Sequence, residues 1–348
     1  MSRWIDFTID ERKAMIQTVC NVKQIDEVSA EKDWWVTAVL CAVFRTSIGK
    51  YLLFKGGTSL SKGWDLINRF SEDIDLALSR DFFLDVKKLS CANCTSNTQI
   101  HHLREKAQDY IPGDFKDELK ACFKASNLPV MVIGDNDVLD EKGERCKVPH
   151  DKDPSVIFIK YPSLYKSDAA YATPTVKIEI SVLSMAEAFE MRRISSLVEQ
   201  SFSNEDVDSD MVQIIPTVTP TRTFLEKAFL LCGEYQKTEP RSHRMTRHFY
   251  DLEKLMQTEY AEIALNDVEL YKDIVNHRRK FYHVGYVDYN KDLPQSIKIV
   301  PSDELMASYE ADYNEMRKSF IYGDSLDFAA LMERMEKLQG RFRNISNK

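Results

Sequence analysis

The chain has 348 residues, too many for one small core and enough for two packed regions. Hydrophobic residues are 43% of it, with 18 Phe, 15 Tyr and 4 Trp, which is ample material for cores. The net charge of −8 argues against a sequence-blind nucleic-acid coat, whose affinity comes from neutralising phosphates, but leaves room for a local basic patch acting on RNA.

In chain order, the start Met1-Ser-Arg-Trp-Ile-Asp-Phe7 lacks the basic end and apolar run of a secretory signal. No stretch approaches the ~20 apolar residues of a membrane span. Seven scattered cysteines, an odd number, read as reduced thiols, so a cytoplasmic protein without membrane association is expected. Residues 9–22 and 29–46 have helical periodicity, the second with Trp35, Val39 and Val43 on one stripe. A short apolar run at 51–54 is broken by Gly56-Gly57, and a helix restarts from Thr58 to about 66. Residues 74–78 read as a strand with Asp73 and Asp75 at its entrance.

Residues 85–128 are polar and helical in pattern, with a helix start expected at Gly113-Asp114. Cys91-x-x-Cys94 followed by His101-His102 is a poor chelating geometry for zinc and reads as an incidental polar segment. Apolar runs at 130–133, 156–159 and 176–183 are expected strands, with the charged stretch 135–153 as a hairpin loop between the first two. From about 221 the pattern is helical, interrupted near 283–300. Thr223-Phe-Leu-Glu226 reads as a capping box that starts one helix, and 241–256 as a second.

Nucleotidyl transfer needs a holder for the triphosphate, carboxylates for Mg2+ and an acceptor hydroxyl in line with the α-phosphorus. Asp73 and Asp75, two apart on a strand, point to one face. Two adjacent carboxylates are best tolerated around a cation. Glu179, a charge inside the apolar run Val-Lys-Ile-Glu-Ile-Ser, is placed to be a third ligand from a neighbouring strand. Each feature alone also describes a solvated strand position.

Gly56-Gly57 permits close backbone approach to a phosphate, and the helix that follows aims its N–H groups at the anion. Thr58 or Ser59 offers a hydroxyl, and Lys62 a charge one turn on. Ser71, just before the acidic pair, either only ends the preceding turn or places a hydroxyl close to the same triphosphate, where it could itself be modified. A strand, a Gly-Gly helix start and a same-face acidic pair sixteen residues later are far more specific together than apart. On a helix, Arg244, Arg247, His248 and Asp251 share one face, which suits phosphates or an RNA backbone and equally a salt-bridged surface stripe. His277-Arg-Arg-Lys280 is a second basic run, a solvated helix face or an RNA guide.

The segments Phe54-Lys-Gly-Gly-Thr-Ser-Leu-Ser-Lys-Gly-Trp64 and Arg69-Phe-Ser-Glu-Asp-Ile-Asp-Leu76 resemble the AbiEii/AbiGii-type toxin nucleotidyltransferases of type IV toxin–antitoxin and phage-defence modules. Thr223-Phe-Leu-Glu-Lys227 and Arg244-Met-Thr-Arg-His-Phe-Tyr-Asp-Leu252 match two further family elements, with His248 where many members carry Asp. Glu31-Lys-Asp-Trp-Trp-Val36 is similar to the N-terminal signature of longer members. The resemblance runs from about residue 25 to past 330.

The resemblance implies a polymerase-β-like nucleotidyltransferase core and a separately encoded antitoxin. It also implies toxicity through addition of nucleotides from an NTP to an RNA, with the tRNA 3′ end as the expected acceptor. It makes Lys227 a triphosphate or transition-state contact and Asp251 an active-site acid.

The expected fold is therefore α/β (α+β): a nucleotidyltransferase core with a small mixed sheet over 1–215, and a helical C-terminal domain over 216–348 completing the active-site cleft. Asp73, Asp75 and Glu179 would hold Mg2+. Gly56, Gly57, Thr58, Ser59, Lys62 and Ser71 would hold the triphosphate, and Lys227, Arg244 and Arg247 would neutralise developing charge. Transfer to a protein or small-molecule acceptor, and a non-catalytic nucleotide-binding module, are the alternatives. Against the last, a pure binder has no need of clustered metal ligands.

Overall fold

Strand-forming runs between residues 52 and 218 assemble into one seven-stranded mixed sheet in the computed structural model, which describes residues 2–139, 144–166, 173–185 and 187–345. The chain packs as two compact units, Met1–Gly63 with Ser71–Thr217, and Trp64–Phe70 with Val218–Lys348.

The first unit opens with α1 (Ile9–Lys23), capped by Thr8 and Glu11 in reciprocal hydrogen bonds, and α2 (Glu27–Phe44), capped by Asp26. Then follow β1 (Leu52–Lys55), α3 (Gly56–Lys62), β2 (Asp73–Leu78), α4 (Asn97–Tyr110), α5 (Lys116–Ala125), β3 (Met131–Gly134), β4 (Ser155–Lys160), β5 (Thr175–Ser181), β6 (Phe189–Ile194), α6 (Leu197–Ser201) and β7 (Gln213–Val218). The sheet order is β3-β4-β5-β2-β1-β7-β6. The β5–β2 and β1–β7 pairs are parallel, and the β3–β4, β4–β5 and β2–β1 pairs antiparallel.

Strand alternation gives the central strands one apolar face: Leu52 and Phe54 on β1, Ile74 and Leu76 on β2, and Val176, Ile178 and Ile180 on β5 are all buried. Helix α2 packs against β2 and β5, and α3 against β1 and β2. Trp34 and Trp35 of α2 are fully buried. Trp34 lies 4.9 Å from Trp4, and Trp35 stacks on Tyr161 at 4.9 Å. Asp208, also fully buried, accepts the Trp4 backbone N–H at 3.0 Å and the Trp34 indole N–H at 2.8 Å, fastening the N-terminal segment to this core.

The second unit contains α7 (Pro220–Glu234), α8 (Thr246–Leu255), α9 (Glu259–Asn266), α10 (Val268–Phe281), α11 (Asp303–Ser319) and α12 (Phe328–Arg343). Phe229 and Tyr271 meet edge-on at 5.1 Å, and Phe224 stacks on Phe342 at 5.5 Å. The segment Trp64–Phe70 belongs to this unit. The Asn68 N–H donates to the Tyr250 hydroxyl, the Phe70 N–H to the Phe320 carbonyl, and the Tyr322 N–H to the Asn68 carbonyl.

The mixed α/β class is the one expected, and several local readings shift. Thr223 does not cap a helix: α7 begins three residues earlier at Pro220, whose fixed φ and missing N–H suit the first turn, and Glu226 bonds to Arg222 at 3.0 Å. The helix expected from 241 begins at Thr246, because Asp312 receives the N–H groups of Arg244 and Thr246 and Arg244 is left-handed at φ 60°. A π-helical turn, Ile111–Phe115, runs through Gly113, and α5 starts just past it at Lys116. The 135–153 stretch links antiparallel β3 and β4, with 140–143 outside the described residues. Strands β6 and β7 were not expected. Cys91 and Cys94 are free thiols. No helix among the described residues is long and apolar enough to cross a membrane.

Candidate functional site

Opposite the apolar face of β1, β2 and β5 lies a face of charges. Antiparallel register sets Lys55 opposite Asp75, and parallel register sets Asp75 beside Glu179 and Asp73 beside Lys177. Directly opposed residues share a face. Lys55, Asp75 and Glu179 therefore form one row across three strands, and Asp73 with Lys177 the next. All five side chains are partly exposed. Asp73, Asp75 and Glu179 thus share one face of adjacent strands, and the sheet adds two lysines that had gone unremarked. Alternation alone would have revealed Lys177, two residues before Glu179.

Lys177 forms an ion pair with Glu179. Burial works against its ammonium, but the hydrogen bond and charge of Glu179, together with Asp73 and Asp75, raise its pKa above the usual lysine value. Three carboxylates on one face are the hard oxygen donors that Mg2+ takes. Among the described residues, however, no three His, Cys, Asp or Glu side chains are gathered around a single point that would hold a metal ion. Lys55 and Lys177 are the cations that the strand register sets amid these acids.

Gly56 stands between β1 and α3 at φ +79°. A Cβ there would lie 2.0 Å from Asp75 Oδ2, so the missing side chain is what lets the backbone lie against that carboxylate. Gly57 is in the first turn of α3. Thr58 is fully buried, and its hydroxyl donates to the Asp73 carbonyl at 2.5 Å and lies 3.0 Å from Ser71 Oγ. The Ser59 hydroxyl donates to the Gly56 carbonyl at 2.9 Å. These hydroxyls splice α3 to the entrance of β2. The Lys62 ammonium bonds to Asp33 at 2.5 Å and to the Ser195 carbonyl at 3.3 Å. The second Asp33 oxygen accepts the Leu197 N–H at 2.7 Å, so Lys62 sits in an ion pair that joins α3 to α2. Glu72 pairs with buried Lys32.

In the second unit, Asp251 of α8 is completely buried and receives the Arg69 guanidinium in a two-pronged contact at 2.6 and 2.7 Å. Lys227 of α7 reaches the same carboxylate at 2.6 Å. Burial alone would raise the Asp251 pKa, but Arg69 and Lys227 hold it well below the usual carboxylate range. His248, one turn before Asp251, is buried beside these groups. Burial, with the charges of Lys227 and Arg247, keeps its imidazole neutral by pushing its pKa well below the ordinary value.

The structure thus brings Lys227 and Asp251 together and adds Arg69. Arg244 lies outside α8, so the single helical face read for Arg244, Arg247, His248 and Asp251 holds only from Arg247 onward. The basic run at 277–280 also divides. His277 is buried and stacked on Phe281, Arg278 bonds to Asp292 at 3.1 Å, and only Arg279 and Lys280 are exposed.

A family model described as the nucleotidyl transferase AbiEii toxin of type IV toxin–antitoxin systems matches residues 38–334. The chain belongs to this family, and is accordingly a nucleotidyltransferase toxin of the type IV toxin–antitoxin class. No curated protein matches the sequence significantly. Among solved structures it is similar to the nucleotidyltransferase toxin MenT4 of Mycobacterium tuberculosis H37Rv, at 14% identity and a TM-score of 0.36, over 91% of this chain and 93% of that one.

Proposed function

We propose that this AbiEii-family enzyme is Mg2+-dependent and transfers a nucleotide from an NTP to an RNA acceptor, with the 3′ end of tRNA as its target. Its setting would be a cytoplasmic toxin–antitoxin module used in phage defence. The observation that carries the reading is the register that sets Asp75 beside Glu179 and Asp73 in the next row of the same face, with Gly56 packed against Asp75.

The residues that would hold Mg2+ are Asp73 and Asp75, with Glu179 beside them. When bound, the ion supplies neutralisation of the triphosphate oxygens. Gly56 and Gly57 let the chain approach the donor phosphates closely, with the Ser71 hydroxyl at the same end of β2. Lys55, in the row with Asp75, adds positive charge where negative charge accumulates on the phosphates. In the reaction, the acceptor hydroxyl releases its proton to solvent as its oxygen bonds to the α-phosphorus, the bond between the α-phosphorus and the α,β-bridging oxygen breaks, and pyrophosphate leaves with that oxygen. In the second unit, Asp251 orients Lys227 and Arg69 so that their positive charge is fixed in place.

The test incubates the protein with Mg2+, each α-32P nucleoside triphosphate in turn and total bacterial tRNA, beside Asp73→Ala. Label entering RNA from one nucleotide, and absent in the variant, is the expected result. Label in the protein, or none in RNA while nucleotide still binds, overturns the RNA acceptor.

A further inference from the structure

The charged face of β1, β2 and β5 is close to balance without any bound ion, since its three carboxylates face two ammonium groups. Side-by-side carboxylates repel one another, and removing that repulsion is the service a metal ion normally performs. Here Lys177 performs it from inside the sheet. It is directly opposite Asp73, ion-paired with Glu179, and reinforced electrostatically by both aspartates. Its side chain is 36% exposed and that of Glu179 27%, so the ammonium, a point charge on a flexible four-carbon stem, has room to swing aside.

We propose that Lys177 is a built-in counter-ion that occupies the carboxylate array in the nucleotide-free enzyme and must be displaced from Glu179 before a divalent cation is held there. This inference rests on the metal-dependent reading above and adds to it the order of binding. Free divalent cation competes with Lys177 and binds weakly. Cation arriving with a triphosphate binds well, because the phosphate oxygens complete its coordination and offer the displaced ammonium a new partner. Metal binding is thereby made conditional on nucleotide, and Lys177 acts as a positioning residue.

The experiment titrates the full chain with Mn2+ alone, following free Mn2+ by electron paramagnetic resonance. It is repeated with non-hydrolysable α,β-methylene analogues of the four triphosphates in turn. Wild type should bind Mn2+ at least tenfold more tightly with one analogue than without. Lys177→Met should bind Mn2+ alone at least tenfold more tightly than wild type and lose most of the nucleotide dependence. Lys177→Arg, which keeps the charge, should stay within about threefold of wild type.

Thermal melts confirm that each variant is folded, and Lys177→Gln substitutes for the Met variant if that one is not. If wild type binds Mn2+ with an analogue while Lys177→Met and Lys177→Gln leave the affinity for Mn2+ alone unchanged, the counter-ion role is overturned and the metal reading stands. If no analogue brings Mn2+ to wild type and Asp73→Asn alters nothing, the metal reading itself fails and takes this inference with it.

Discussion

Replacing Gly56 by alanine separates the two demands placed on this residue. Its φ of +79° lies where an L side chain is strained, at a cost of about 1–2 kcal/mol. For a unit of this size that lowers the melting temperature by about 2–8 °C. The new methyl would also stand 2.0 Å from Asp75 Oδ2 and 2.7 Å from its Cγ, so the carboxylate must retreat by roughly 1.4 Å to reach ordinary van der Waals contact. Displacements of about 1 Å at a reacting centre cost on the order of 100-fold. The expected Gly56→Ala enzyme is therefore folded, slightly less stable, and down about 100-fold in kcat/KM for nucleotide transfer. The measurements are a circular-dichroism melt and initial rates with labelled nucleotide. Gly340→Ala at an exposed position of α12, where nothing lies within 4 Å of the added methyl, should instead gain about 1 kcal/mol with unchanged activity. A Gly56→Ala enzyme within twofold of wild type would refute the assignment of Asp75 to the reacting centre.

Asp251→Asn strands the buried cations Arg69 and Lys227 and should cost about 3–5 kcal/mol, or on the order of 10 °C in melting temperature. Adding Lys227→Met should recover part of that loss, and additive effects in the double variant would contradict the cluster. Lys62→Met should lower the melting temperature by several degrees while KM for the NTP changes less than twofold, because its ammonium is engaged by Asp33; a tenfold rise in KM would return it to the triphosphate. Burial raises the Asp208 pKa to about 6, against the N–H bonds from Trp4 and Trp34. Its folded value lies above the unfolded 3.8, so the native state holds the extra proton between the two. Its contribution to stability falls, by on the order of 2–3 kcal/mol, as pH rises from about 4 through 6. The wild-type minus Asp208→Asn difference in unfolding free energy across that window should show this slope; a flat difference would place Asp208 elsewhere in the balance.

The residues that nominated the site were legible because their signals are local. Asp73 and Asp75 share a face by the two-residue period of a strand, and Gly56-Gly57 announces a break that only glycine tolerates at φ +79°. The long apolar stripe of α2 and the short runs that became β2, β4 and β5 were readable for the same reason. Edge strand β6 has no such signal, since Glu190, Arg192 and Arg193 interrupt it, and β7 carries Pro216 inside a strand. The capping box at Thr223 was a misleading local signal, overridden by the proline three residues before it.

By itself, the sequence nominated the groups proposed to bear the chemistry: two aspartates, a glutamate in an apolar strand, a glycine turn, and a lysine and an aspartate on later helices. Only the tertiary structure decided which of them meet. Parallel pairing of β2 with β5, about 100 residues apart, puts Lys177 and Glu179 against the aspartates. Burial of Asp251 binds it to Arg69 and Lys227, and Asp33 claims Lys62. Strand register and ion pairing join residues distant in the chain, and their energies depend on neighbours and desolvation that a linear pattern does not contain.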